Sequence, residues 1–164
     1  MKYSLLLLTA LLFLSSCKET GIDPTTCRDG KCTYTFEGGK QVNLFGDSTN
    51  QYVEIINGDK LVFQYQYLKN EKANIADDEY TENIYFEIDP SVDAFSYSGK
   101  EELESINLIM QAICFCPVII ATPQSGSISG KKINDNTWEI DLNVTFDWDG
   151  SVVESEFSAR FERE

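Results

Sequence analysis

Four cysteines carry the densest chemistry in this chain. Cys27 and Cys32 are separated by four residues, and Cys114 and Cys116 by one. At that spacing the thiols can pair as two disulfides, or four thiolates can hold zinc or an iron–sulfur cluster. The spacings differ from the Cys-x2-Cys knuckles that usually present thiolates to one metal, so no metal site and no cofactor are expected. Histidine is absent from the chain. That excludes Ser-His-Asp and Cys-His nucleophile systems, HExxH zinc sites and histidine-ligated haem.

Carboxylates and hydroxyls remain. Asp47, the run Asp77-Asp78-Glu79, Asp89 with Asp93, and Asp147 with Asp149 are the possible cation ligands. Calcium takes about six to eight oxygens from a shaped loop, and none of these segments has the order of an EF-hand. Asp149 is explained by a turn with Gly150, and Asp77 to Glu79 by a solvated loop. A glycosidase needs two carboxylates roughly 5–9 Å apart across a cleft. With 27 acidic side chains, such pairs arise by chance on a small domain. Ser125, Ser127 and Ser129 lie near Lys131, and turn formation accounts for them better than a Ser-Lys nucleophile does. No catalytic residue is assigned; a histidine-free carboxylate hydrolase is the weakest functional reading.

The aromatic residues are better candidates. In the strand-like run Leu61 to Leu68, the residues Leu61, Phe63, Tyr65 and Tyr67 share one side, and Val62, Gln64, Gln66 and Leu68 the other. Tyr65 and Tyr67 on a concave sheet face could stack on sugar rings or an apolar ligand, with Gln64 and Gln66 supplying polar contacts. The preferred alternative makes both tyrosines core or partly buried sheet residues with satisfied hydroxyls.

Alternating strands must position these groups. Lys31 to Phe36 places Cys32, Tyr34 and Phe36 on one face; Gln41 to Phe45, Gln51 to Ile56 and Ile84 to Ile88 are further candidates. Asn57-Gly58-Asp59-Lys60, between Ile56 and Leu61, predicts a hairpin turn. Ser98 with Glu101 three residues on reads as a capping box, so a short helix over 99–105 leads into a strand near 106–121; a helix running to 113 is the rival. From Trp138 to Trp148 every second residue is apolar, and Asp149-Gly150 favours a two-residue turn. That turn pairs Trp148 with Ser151, Phe146 with Val153, Val144 with Ser155, Leu142 with Phe157, Ile140 with Ala159 and Trp138 with Phe161, leaving Glu139 opposite Arg160. Slipping by one residue would expose the whole apolar row. The pattern predicts one mainly β domain over residues 25–164, an antiparallel β-sandwich, with a small β-barrel or an α+β fold as alternatives.

The N-terminus carries a separate signal. Met1-Lys2-Tyr3-Ser4 precedes an almost unbroken apolar run of ten residues, Leu5 to Leu14. That run is too short to cross about 30 Å of hydrocarbon, and it has the size and flanks of a signal-peptide core. It ends in Leu14-Ser15-Ser16-Cys17, which resembles the lipobox of bacterial lipoproteins. The resemblance implies that Cys17 is diacylated on sulfur with fatty acids of the palmitate type, that residues 1–16 are removed, and that the new amino group is acylated. Residues 17–24 then read as a tether, and Cys17-Lys18-Glu19 is similar to signals that some Gram-negative lineages use for surface export. The expected location is the bacterial cell envelope, most simply the outer membrane, facing periplasm or cell surface. The 13 basic against 27 acidic side chains, a formal net charge of −14, argue against nucleic acid and anionic headgroups as partners. The membrane is therefore reached through the lipid, and envelope proteins or glycans are the remaining partners.

Export also favours disulfides. A staple between Cys27 and Cys32 is easy across the intervening turn and would leave Cys114 and Cys116 as thiols. The preferred pairing joins Cys27 or Cys32 to Cys114 or Cys116, each such bond stabilising by about 3–5 kcal/mol through loop entropy. The functional expectation is a lipid-anchored envelope protein with a binding or structural role, or a carrier of a small molecule or glycan.

Overall fold

Period-two alternation governs the architecture. The computed structural model describes residues 26–27, 29–47, 51–71, 75, 78–115, 118–148 and 150–164. Cys17, the signal and tether of residues 1–24, Cys116, Asp77 and Asp149 lie outside them. The strands are β1 (Thr26–Cys27), β2 (Gly30–Phe45), β3 (Tyr52–Lys69), β4 (Tyr80–Ile88), β5 (Ala94–Ser98), β6 (Ile109–Cys114), β7 (Ile119–Asn134), β8 (Thr137–Trp148) and β9 (Ser151–Arg163), with one helix, α1 (Gly99–Ser105). The fold is mainly β with a short helix at the expected place, and the helix does not extend to 113.

The strands form one sheet in the order β1-β2-β3-β4-β6-β7-β8-β9, with β5 paired to β7. All neighbours are antiparallel except one. β9 returns beside β2 in parallel, with Thr35 opposite Glu162 and Phe36 opposite Arg163. This seam closes the sheet into a barrel whose opposing walls pack face to face, as in a sandwich. The Glu164 N–H donates to the Phe36 carbonyl at 3.1 Å, and the Arg163 guanidinium lies 5.3 Å from the centre of the Phe36 ring. The first large contact layer is aromatic. Phe63 stacks on Phe86 at 4.8 Å and on Phe36 at 5.2 Å, and meets Trp138 and Phe161 edge-on from the far wall at 5.6 and 5.7 Å. Such rings contribute both buried area and quadrupole-favoured geometry.

The helix completes the wall. β6 pairs only with Tyr80 to Tyr85 of β4, leaving the end of β4 without a strand on that side. There the Glu87 N–H donates to the Ile106 carbonyl at 2.8 Å, and Leu103, Ile106 and Leu108 are buried in the core. Ser98 occupies the N-cap with extended backbone, but its side chain makes no capping bond. The returning acid is Glu102, one residue later than the capping box expects; its carboxylate accepts the Ser98 N–H at 2.7 Å. The β8–β9 register agrees at every pair expected from the sequence, from Trp148 with Ser151 to Trp138 with Phe161.

Two local expectations are corrected. Asn57 to Lys60 is not a hairpin turn. Lys40 faces both Asn57 and Lys60, so Gly58 and Asp59 form a bulge in a continuous β3. Residues 52–56 already have partners in residues 41–45 of β2, and the turn-prone dipeptide absorbs the extra length instead of reversing the chain. Beyond this bulge the β2–β3 ribbon reaches β4, where the Val42 N–H donates to the Glu87 carboxylate. The stretch from 106 to 121 is likewise two strands, β6 and β7, rather than one. β7 then continues through Gly126, whose φ of +114° suits glycine, so the serines around it sit on a strand and not in a turn.

The cysteine pairing also differs from the preferred expectation. Cys27 is bonded to Cys32, with their Cα atoms 5.6 Å apart, so neither is joined to Cys114 or Cys116. The reason is local: Asp29 adopts a φ of +61°, the chain reverses within two residues, and Cys27 comes opposite Gly30. Cys114 is itself disulfide-bonded and is not a free thiol. A staple closing so short a loop removes less chain entropy than the long-range bonds would. Replacing Cys27 and Cys32 together with alanine should cost about 2 kcal/mol in urea unfolding, rather than the 3–5 kcal/mol of a long loop. A loss above about 4 kcal/mol would contradict a purely local staple.

Candidate functional site

The barrel interior changes character along its axis. Through the paired registers, Phe36, Phe63 and Phe86 form one inward layer across β2, β3 and β4. The next layer is Tyr34, Tyr65, Ile84 and Met110; the next is Cys32, Tyr67, Glu82 and Ala112; beyond it Tyr80 faces Cys114. Phenylalanine thus gives way to tyrosine, and then to a carboxylate. The phenylalanine layer is fully buried, whereas Tyr34, Tyr65, Tyr67, Tyr80 and Glu82 are half-buried. This end of the barrel is the candidate site.

Its groups are close-set. The Tyr34 and Tyr65 rings are 5.3 Å apart, Tyr65 lies 5.0 Å from Phe157, and Tyr67 lies 6.3 Å from Tyr80. The Tyr80 hydroxyl donates to Glu82 Oε2 at 3.0 Å, and the Cys32 sulfur lies 3.5 Å from the Tyr65 hydroxyl. Burial, followed by the charge of Glu82 and the neighbouring phenols, holds Tyr65 well above the ordinary tyrosine range. Burial, then the charge and hydrogen bond of Glu82, does the same for Tyr80. Glu82 is raised by burial, against the lowering effect of the Tyr80 hydroxyl. Phenols held so high are protonated donors, not nucleophiles. The arrangement therefore brings protonated hydroxyls, aromatic rings and one carboxylate together.

The raised Glu82 has a consequence for stability. Its folded pKa lies above its unfolded value, so its contribution is fully present below the unfolded carboxylate range and is lost as pH rises through the folded pKa. Glu82→Gln removes the charge but leaves an acceptor for Tyr80. The variant should be more stable than the parent at pH 7, and the difference should shrink as pH falls toward 4. Chemical denaturation at both pH values checks this; a variant less stable than the parent at pH 7 would contradict the sign.

The outward face of the same strands carries a different set. Thr33, Gln66, Asn83 and Gln111 stand in one row across β2, β3, β4 and β6. Gln64 Nε2 and Gln66 Nε2 each donate to Asn83 Oδ1 at 3.1 Å, and Gln64 Nε2 also reaches the Tyr85 hydroxyl at 3.4 Å. Asn83 and Gln111 are buried, and among the described residues no buried side-chain polar atom lacks a partner. Beside this row Thr33, Thr35, Gln64, Gln66 and Glu164 line a shallow cleft of about 210 Å³. The tyrosines and glutamines singled out in the sequence thus occupy opposite sides of β3, as alternation requires. Tyr65 and Tyr67 face the barrel interior rather than an outer concave surface.

The other candidates disperse. Asp89 accepts from both the backbone and the hydroxyl of Ser91, and Asp147 accepts the Gly150 N–H, so both are turn residues. Among the described residues no three potential metal ligands gather. Ser127 and Ser129 lie on the outer face of β7 beside Asp141, Asn143 and Ser158. Ser129 and Lys132 do stand in a Ser-x-x-Lys spacing. However, the Lys132 ammonium is held by Asp135 at 2.7 Å, whose hydrogen bond raises the lysine pKa and so opposes a general-base role.

Sequence reasoning missed Tyr80, Glu82, Asn83 and Gln111. A signal was present for the first three: alternation run back from Ile84 and Phe86 places Glu82 and Tyr80 inside and Asn83 outside. Comparison with known proteins returns no matching family, no similar curated protein and no similar solved structure.

Proposed function

We propose that this chain is a lipid-anchored binding protein of the bacterial cell envelope, held through Cys17 and non-catalytic, which seats a small ligand at the tyrosine-lined end of its barrel. The observation that carries the binding reading is the inward-facing set Tyr65, Tyr67, Tyr80 and Glu82 above a solid aromatic core. A purely structural barrel gains little from burying a carboxylate among phenols, since charge burial costs free energy that aliphatic residues would not. The anchor reading is supported by the lipobox-like residues ending in Cys17 and places the protein most simply at the outer membrane.

The test is a titration of a small-molecule panel against protein carrying isotope labels in its tyrosine rings and in its backbone amides. Ligands should shift the Tyr65, Tyr67 and Tyr80 resonances before those of Tyr52, which lies on the distal ribbon. A panel that perturbs only backbone signals around Thr33 and Gln66 would overturn this reading. It would favour the second one, a glycan in the outer cleft, which the row of amides and hydroxyls supports. Envelope proteins remain alternative partners for either surface.

A further inference from the structure

We propose that the ligand seated at the tyrosine-lined end is a small organic cation, recognised through its ammonium group by Glu82 and the surrounding rings. This rests on the binding reading above and specifies its chemistry. Glu82 points inward between Ala112 and Tyr67 of the neighbouring strands, and its described partner is the neutral hydroxyl of Tyr80. Ion pairs at Lys40–Glu37, Lys60–Asp59, Lys60–Asp89, Lys100–Glu104, Lys132–Asp135 and Arg160–Glu139 do not involve Glu82. A half-buried carboxylate without a countercharge is costly. Its raised pKa is the protein's own response to that cost.

Three ligand classes can be compared on this geometry. An anion meets Glu82 and a chain of net charge −14, and is repelled by both. A hard metal ion needs more oxygen ligands than one carboxylate and a few phenols provide, and no three potential ligands gather among the described residues. An alkylammonium matches on both counts: it supplies the missing charge, and its polarised methylenes or methyls suit the rings of Tyr65 and Tyr80, the two phenols that feel the charge of Glu82. Cations placed within about 6 Å of such rings are attracted by the ring quadrupole. The net negative field also concentrates cations near the barrel.

The experiment is calorimetric titration of the domain with choline and with its neutral carbon isostere, 3,3-dimethylbutan-1-ol, repeated on Glu82→Gln. Choline should bind at least about tenfold more tightly than the isostere, and Glu82→Gln should lose at least about tenfold in choline affinity while leaving isostere binding unchanged. Glu82→Met, of similar length, makes the same test if the amide variant fails to fold. Equal affinities for choline and the isostere, both shifting the tyrosine resonances, would overturn the cation inference and leave the binding reading standing. Unchanged choline affinity in both Glu82 variants would overturn it as well. If no compound of any charge moved the tyrosine resonances, both the inference and the reading beneath it would fail.

Discussion

Phe63→Ala should destabilise the barrel by about 3–5 kcal/mol, a large share of the roughly 5–15 kcal/mol that holds a domain of this size. Phe63 is fully buried and touches Phe36, Phe86, Trp138 and Phe161, so its ring joins three strands of one wall to two of the other. Truncation removes the transfer energy of the ring and leaves a cavity that four aromatic neighbours, fixed to different strands, collapse into poorly. Urea unfolding monitored by tryptophan fluorescence measures the loss directly, because Trp138 packs edge-on against the deleted ring. Val152→Ala is the control: its side chain is 69% exposed and the change should stay within about 0.5 kcal/mol. A Phe63→Ala cost below about 1 kcal/mol would show that the opposing walls do not share one core.

The second large effect concerns the proposed anchor. Cys17→Ala should abolish incorporation of labelled fatty acid, since no other atom in the lipobox-like segment offers the sulfur that the family's chemistry acylates. The variant should also fail the normal maturation step. The barrel itself should still fold once separated from residues 1–16, because among the described residues the core begins at Cys32 and Phe36. Two acyl chains or more give durable attachment and one gives marginal attachment, so loss of the sulfur should remove the acyl-dependent attachment. If the Cys17→Ala variant still took up fatty acid and stayed membrane-bound after a high-salt wash, the lipoprotein reading would be wrong.

How much of this was legible in the residues depended on whether the decisive information was local. The β8–β9 hairpin was readable pair by pair, because strict alternation and an Asp-Gly turn fix register within about 25 residues. The helix was readable from the cap pattern at Ser98, although the acid that closes it, Glu102, was one position off. The ribbon of β2 and β3 was not, because Asn57-Gly58 looks the same in a bulge as in a turn, and only the distant partner Lys40 decides between them. The disulfide was misjudged for a related reason: loop entropy rewards long closures, but the left-handed Asp29 brings Cys32 back to Cys27 first. For the candidate site, Tyr65 and Tyr67 were noticed and their opposition to the glutamines was correct. Glu82 was overlooked because Tyr80-Thr81-Glu82-Asn83 is too polar to resemble a core strand until its parity with Ile84 is followed backward.

The parallel seam between β2 and β9 sets the order in which this molecule can be assembled. Each other junction between strands can zip from a nearby reversal or from a strand already in place, but this one joins the first long strand to the last across most of the chain. Until β9 arrives, the open edge of β2 presents unpaired amides beside Tyr34 and Phe36, a template for another chain's strand as readily as for its own. Pairings of such sequence separation are slow to form, because loop-closure entropy must be met before any contact rewards it. A nascent chain therefore holds an unfinished wall, and its hazard during synthesis is edge-to-edge aggregation, relieved only when the final strand docks.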